Sequence, residues 1–206
     1  MVPDVTSSAD ATTPVTVDRE QFLVELVDRA GRPLGTCRVR EAHTAPGRLH
    51  RAFSVLLYDP AGHVLLQQRA AAKTRFALRW SNSCCGHPAP GQDVVAAATT
   101  RLAEELGITA TQITPLTEAG VFRYRADDAV TRHVEYEWDH VFVATLTAGV
   151  PAADQSEVRE VRWATPGPLA AEIAARPEGF TPWLAGVLDL AEEGRRNSSG
   201  IPKNGN

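Results

Sequence analysis

The sequence predicts an α+β domain in which a mixed β-sheet is flanked by α-helices. Three observations predict it. Apolar runs of strand length are grouped before and after one amphipathic helical segment, two further helical segments close the chain, and no repeat or linker divides the stretch between. Residues 20–194 are therefore expected to form a single domain. Residues 1–19, rich in Thr, Ser, Ala and Pro, read as a disordered leader, and residues 195–206 as a mobile tail.

The elements follow in order. QFLVELVDRAGRPLGTCRV (21–39) reads as two short strands around an Ala-Gly-Arg-Pro turn. RAFSVLLYDPAGHVLLQQR (51–69) reads as a hairpin about Asp-Pro-Ala-Gly. The polar stretch from Trp80 to Pro90 reads as a loop, rich in Cys, His, Gly and Pro. DVVAAATTRLAEELGI (93–108) predicts a helix with Asp93 as N-cap and Gly107 as its stop, and Val95, Ala98, Leu102 and Leu106 fall on one stripe. VFRYRA, RHVEYEWDHVFVATL and EVREVRWATP predict strands, the last ended by its proline. GPLAAEIAARPEGF and TPWLAGVLDLAEEGRR predict two helices.

Composition narrows the classes of function. The formal net charge of -4 argues against a broad nucleic-acid-binding face. No stretch approaches the roughly 20 apolar residues that span a bilayer, and the N-terminus lacks the basic and apolar regions of a secretory signal. Three cysteines, Cys37, Cys84 and Cys85, make a poor disulfide framework. A reducing cytoplasm, a small-molecule partner and a monomer are the expectation, with neither nucleic acid nor membrane bound.

The residues with chemical capability are unevenly placed. Glu135 and Glu137 alternate on a strand, so both carboxylates share a face, and Asp139 continues the row. Such a row is costly to bury without a cation, though a solvent-facing edge also carries it. His43 and His50 flank a Pro-Gly pair that lets the chain turn back, and His87 follows Cys85 in CGHP. Three histidines and two carboxylates suit a divalent ion of borderline hardness such as Zn or Mn. His63, His133 and His140 read as ordinary structural or surface histidines. A thiol such as Cys85, beside a metal centre and a carboxylate, can work as an acid or base.

Glu104 and Glu105 end the first long helix, where acids oppose the helix dipole. Their setting resembles the Nudix box, G-x5-E-x7-R-E-U-x-E-E-x-G-U, in register from Gly86 to Ile108. The first box acid is Gln92, and Thr100-Arg101 stands for the Arg-Glu pair. With two acids missing, a site that holds one Mg2+ on a diphosphate but hydrolyses poorly is expected.

Six ordered segments, over roughly residues 20–193, resemble the type 1 isopentenyl diphosphate isomerases of the Nudix superfamily. They are AHTAPGRLHRAFS, QQRAAAKTRFALRW, SNSCCGHP, FRYRA, VEYEW and FTPW. The resemblance implies a Nudix-type fold. It implies Cys85 as the catalytic thiol, with Glu137 across the substrate double bond. It implies His43, His50, His87, Glu135 and Glu137 as ligands of a first metal, for which Zn2+, Mn2+ and Mg2+ all remain open. Glu105 and the backbone carbonyl of Cys85 would hold a Mg2+ bridging to the diphosphate, and Arg69 and Lys73 would pair with phosphate oxygens. Tyr124 would assist proton movement or stabilise charge, and Trp183 would face a cationic carbon. Which of Cys85 and Glu137 gives the proton stays open.

The sequence departs from the pattern at Val39, where the family carries a lysine. Arg40 is the nearest substitute, but strand alternation turns it to the other face. Two other readings stand beside the isomerase. A Nudix hydrolase of a diphosphate would share the fold but has no need of CGHP and ExE. A non-catalytic metal-binding module would leave the cysteine and Trp183 without a purpose.

Overall fold

The computed structural model describes residues 18–198, and residues 1–17 and 199–206 lie outside the described part. The expected leader is thus largely outside it. The expected tail falls partly inside, because the last helix runs on to Ser198.

Two strands, β1 (Leu23–Val27) and β2 (Pro33–Arg38), pair antiparallel as expected. The chain then departs from the strand expected at Val39. A single turn and a half of helix, α1 (Val39–His43), begins there. Arg40 consequently points outward and lies 3.7 Å from Asp18, while Val39 is buried.

Strand β3 (His50–Tyr58) organises the sheet. One of its edges pairs in parallel with β8 (Val134–Thr145) along its whole length, from His50↔Glu137 to Tyr58↔Thr145. The other edge is divided among three strands. β1 meets it at His50, β6 (Cys84–Gly86) at residues 53–55, and β4 (Val64–Arg69) only at Tyr58. The expected 51–69 hairpin therefore closes at its turn and then splays open. Its second strand runs instead with β9 (Val158–Ala164) and with the short β5 (Trp80–Ser81). The stretch read as a loop, 80–90, supplies β5 and β6, too short for any periodicity to announce. Strand β7 (Thr117–Asp127) completes the sheet along β8.

Period-two alternation on β3 sorts its side chains into two cores. Phe53, Val55 and Leu57 face helix α2 (Val94–Leu106), where they meet Ala98, Leu102 and Leu106. Leu56 and Tyr58 face the other way, toward Leu169 and Ile173 of α3 (Pro166–Ala175) and Leu184, Val187 and Leu188 of α4 (Leu184–Ser198). Helices thus cover both faces of the mixed sheet. Helix α2 begins at Asp93, whose carboxylate accepts the Ala96 N–H, and ends at Gly107 with φ 64°, a left-handed cap that suits glycine. Val95 departs from the expected stripe: it is exposed in the first turn, and Ala97, Arg101 and Glu105 share the buried face instead.

Candidate active site

The split at β3 places two chemically active strands on either side of it. Cys85 on β6 is in register with Ser54, and Glu137 on β8 with His50. Both open onto one cavity of about 1040 Å³, whose lining includes Arg69, Lys73, His87, Tyr124, Glu135 and Trp183.

The histidines converge as the Pro-Gly turn requires. Gly47 takes φ 81°, and a Cβ there would come within 2.6 Å of Val134. Beyond this turn the His43 and His50 rings stand 4.7 Å apart, and each lies about as close to His87. The Nδ1 of His43 donates to the Val39 carbonyl at 2.8 Å, and the Nδ1 of His50 to the Arg48 carbonyl at 2.7 Å. These bonds put the ring proton on Nδ1 and leave Nε2 with a lone pair aimed inward.

Ligand atoms of His43, His50, His87 and Glu137 lie within 4.8 Å of one another. Glu135 Oε2 joins them 2.8 Å from His43 Nε2, yet these two atoms and His50 Nε2 are buried without a hydrogen-bond partner. Buried lone pairs that converge in this way are expensive unless a cation receives them. The donor set therefore fits a divalent metal ion.

The charges follow the same geometry. Burial works against ionisation of Glu135 and Glu137, but the facing histidines outweigh it: His43 holds Glu135 down to about 2, and His50 and His87 hold Glu137 well below its usual range. Burial lowers His87 to about 4, against the pull of Glu137, so its imidazole is neutral. Arg75, which sequence reasoning passed over, lies 3.1 Å from Glu135 Oε1 and 2.8 Å from Glu20. Asp139, the third acid of the row, is fully buried outside the cavity lining. It accepts from Ser54 at 2.8 Å, and burial followed by the neighbouring Glu137 pushes it well above the carboxylate range.

Around the thiol the walls are cationic and aromatic. Burial pushes Cys85 up to about 12, so the group is a neutral thiol, with Arg69 Nη1 3.9 Å from Sγ. The other guanidinium nitrogens of Arg69 donate to the Arg75 carbonyl, which fixes the side chain against the cavity wall. Tyr124 sits opposite Glu137 in the β7–β8 register and donates to its Oε2 at 2.7 Å. Trp183 stacks on Tyr124 at 5.6 Å and anchors its indole N–H on Asn82 Oδ1 at 3.0 Å. Asn82 falls within the SNSCCGHP segment, which gave it no role; Cys84 is buried under the sheet, in the α2 core.

A second charged cluster stands at the end of α2. Glu105 is 1% exposed and is met by Lys73 Nζ at 3.0 Å, Arg101 at 2.6 Å and Gln67 at 2.9 Å. Lys73 also ion-pairs with Glu157. Burial works against ionisation of Glu105, but these cations hold it below the usual range. Glu104, half-exposed, pairs with Arg19 and Arg101. The sequence marks Arg101 only as a departure from the box, and Glu157 not at all. Arg101 occupies a position where the box has an acid, and Glu157 belongs to no motif. His63 pairs with Asp59 and His140 with Glu118, away from the metal ligands.

The comparisons agree with this architecture. The NUDIX domain model matches residues 48–184. An isopentenyl-diphosphate Delta-isomerase of Nocardia farcinica is 60% identical over 177 residues, 86% of this chain and 98% of that relative. One of Streptomyces griseus is 42% identical, covering 92% of this chain and 96% of its own. Among solved structures, a Deinococcus radiodurans protein superposes with a TM-score of 0.63 at 18% identity, over 81% of this chain and 97% of that one. A MutT protein of Methanosarcina mazei gives 0.54 at 18%, over 73% and 95%. These two likenesses concern the fold. With 60% identity to one named relative and near-complete coverage of both, the chain belongs to the isopentenyl-diphosphate Delta-isomerase family and is built on a NUDIX domain.

Proposed function

We propose that the protein interconverts isopentenyl diphosphate and dimethylallyl diphosphate, a step of isoprenoid biosynthesis, by protonation and deprotonation through a carbocation-like intermediate. The observation that carries this reading is the Cys85 thiol and the Glu137 carboxylate, on strands either side of β3, opening onto one cavity walled by Tyr124 and Trp183. An unactivated double bond offers no carbonyl to attack. It can be moved only by adding a proton at one carbon and removing one from another. A donor and an acceptor on different strands suit a flat substrate lying between them.

At rest the proton sits on Cys85 and the charge on Glu137. Cys85 is then the donor and Glu137, polarised by Tyr124, the acceptor. The indole of Trp183 faces the developing cation without being a nucleophile. Its bond to Asn82 keeps the ring plane fixed, and the aromatic wall limits the water that would trap the cation as an alcohol.

His43, His50, His87, Glu135 and Glu137 would hold the first metal, Zn2+, Mn2+ or Mg2+. Glu105, with the Cys85 carbonyl, would hold a Mg2+ on the diphosphate, which Arg69 and Lys73 also bind. Such ions would supply fixed positive charge to orient Glu137 and neutralise the diphosphate. The substrate's diphosphate is then an anchor whose binding energy holds the hydrocarbon end in place. The free cysteines agree with a cytoplasmic enzyme.

Incubation with isopentenyl diphosphate and Mg2+, followed by phosphorus and proton NMR, tests the reading. Dimethylallyl diphosphate with both phosphates retained is expected. Release of inorganic phosphate would favour a hydrolase instead.

A further inference from the structure

We propose that Arg19 is a diphosphate-binding residue: from the N-terminal segment it supplies the cation that position 39 lacks. The inference rests on the isomerase reading above. Val39 lines the cavity as an apolar side chain, while Arg40 lies outside the lining, beside Asp18. The Val39 N–H donates to the Phe22 carbonyl at 2.8 Å, which lays the short 3-10 turn Arg19–Gln21 next to it. Glu20 of that turn, 2.8 Å from Arg75, ties it to the cavity wall. The Arg19 side chain is itself part of the lining. Its Nε lies 3.3 Å from Glu157 Oε1, and the other oxygen of that carboxylate meets Lys73 and Arg101. Three cations from distant parts of the chain thus converge on one carboxylate at the cavity.

The other cations of the lining are largely buried and committed. Lys73 bridges Glu105 and Glu157, Arg101 meets both of these and Glu104, Arg75 joins Glu135 to Glu20, and Arg69 holds the Arg75 carbonyl. Arg19 differs. Its side chain is 41% exposed, and among the described residues its Nη1 makes no hydrogen bond. Its Nη2 is held by Glu104 Oε2 at 2.8 Å, a carboxylate 43% exposed. Ion pairs this open to solvent contribute little, so Arg19 can leave this one at small cost. Glu104 then keeps Arg101, 3.1 Å from the same oxygen. A guanidinium that can turn, with a planar fork of donors, matches two oxygens of an incoming diphosphate.

Calorimetric titration of the full chain with inorganic diphosphate reads the contact. Arg19→Gln is expected to weaken binding about tenfold, as the loss of a charge-assisted contact implies, and Arg19→Lys by about threefold or less. Arg40→Gln removes the same charge outside the cavity and stays within about twofold of wild type. With isopentenyl diphosphate, Arg19→Gln raises KM by a factor like that of the affinity loss, at nearly constant kcat. A merely structural role, in which the Arg19–Glu104 pair ties the N-terminal segment down, predicts an equal loss for Glu104→Gln, where the assignment predicts none. Should Arg19→Gln not fold, Arg19→Ala gives the same comparison. Unchanged affinity in Arg19→Gln, or an equal loss in Glu104→Gln or Arg40→Gln, overturns the assignment. Turnover of isopentenyl diphosphate by the wild type is measured separately: its absence fails the isomerase reading, while the inorganic ligand still decides the role of Arg19.

Discussion

The Tyr124 hydroxyl donates to Glu137 Oε2 at 2.7 Å, while His87 Nε2 stands 2.9 Å from the other oxygen. One carboxylate is thereby shared between a phenol at the substrate cavity and the histidine cluster behind it. Burial, then the Glu137 charge, raises the Tyr124 hydroxyl well above its usual range, so it remains a donor at all working pH values. A hydrogen bond to a charged group contributes about 1.5–3 kcal/mol. Tyr124→Phe is accordingly expected to lower kcat by roughly one to two orders of magnitude with little change in KM. Steady-state kinetics on the purified variant checks this.

Much of this arrangement is legible in the sequence, because some signals are local. The alternation of VEYEWD places Glu135 and Glu137 on one face, and the Pro-Gly turn returns His50 to His43. Asp93 and Gly107 bound their helix as capping chemistry dictates. The partners that arrive from far along the chain are less legible. Arg75 reaches Glu135 across 60 residues and Glu157 reaches Lys73 across 84. Neither distance leaves a pattern in spacing. The 51–69 hairpin departs from its expected pairing for a related reason: local turn chemistry is satisfied at Tyr58↔Val64, but β6 takes the edge that β4 would have used. Arg40 stands exposed beside Asp18 and outside the cavity lining, because the chain turns helical at Val39, where Val39 and Ala42 pack with Val24, Leu26 and Cys37.

The metal site makes a prediction about stability as well as activity. Chelation leaves Glu135, Glu137 and the inward Nε2 lone pairs of His43 and His50 without their cation. Metal-stripped protein should melt several degrees lower than the metal-loaded form, and His50→Ala should bind metal at least about tenfold more weakly. Elemental analysis after dialysis, together with thermal melts, gives both numbers.

Acid stability carries the mark of Glu157. Burial opposes its ionisation, but Lys73 and Arg101 hold it down to about 2, from an ordinary 4.5. A depressed carboxylate stabilises the fold fully above its unfolded value and loses that contribution as the pH falls through the folded one. Wild type should therefore lose about 2 kcal/mol from this group between pH 4.5 and 2. Glu157→Gln should show a correspondingly shallower decline, measured by urea unfolding across that range.

The central claim is protonation of the double bond by groups facing one cavity. Turnover of isopentenyl diphosphate in deuterated water, followed by proton and phosphorus NMR, tests it most directly. Dimethylallyl diphosphate carrying deuterium, with the diphosphate intact and no product from Cys85→Ala, is the expected result. Product without deuterium, or undiminished turnover by Cys85→Ala, would contradict the account.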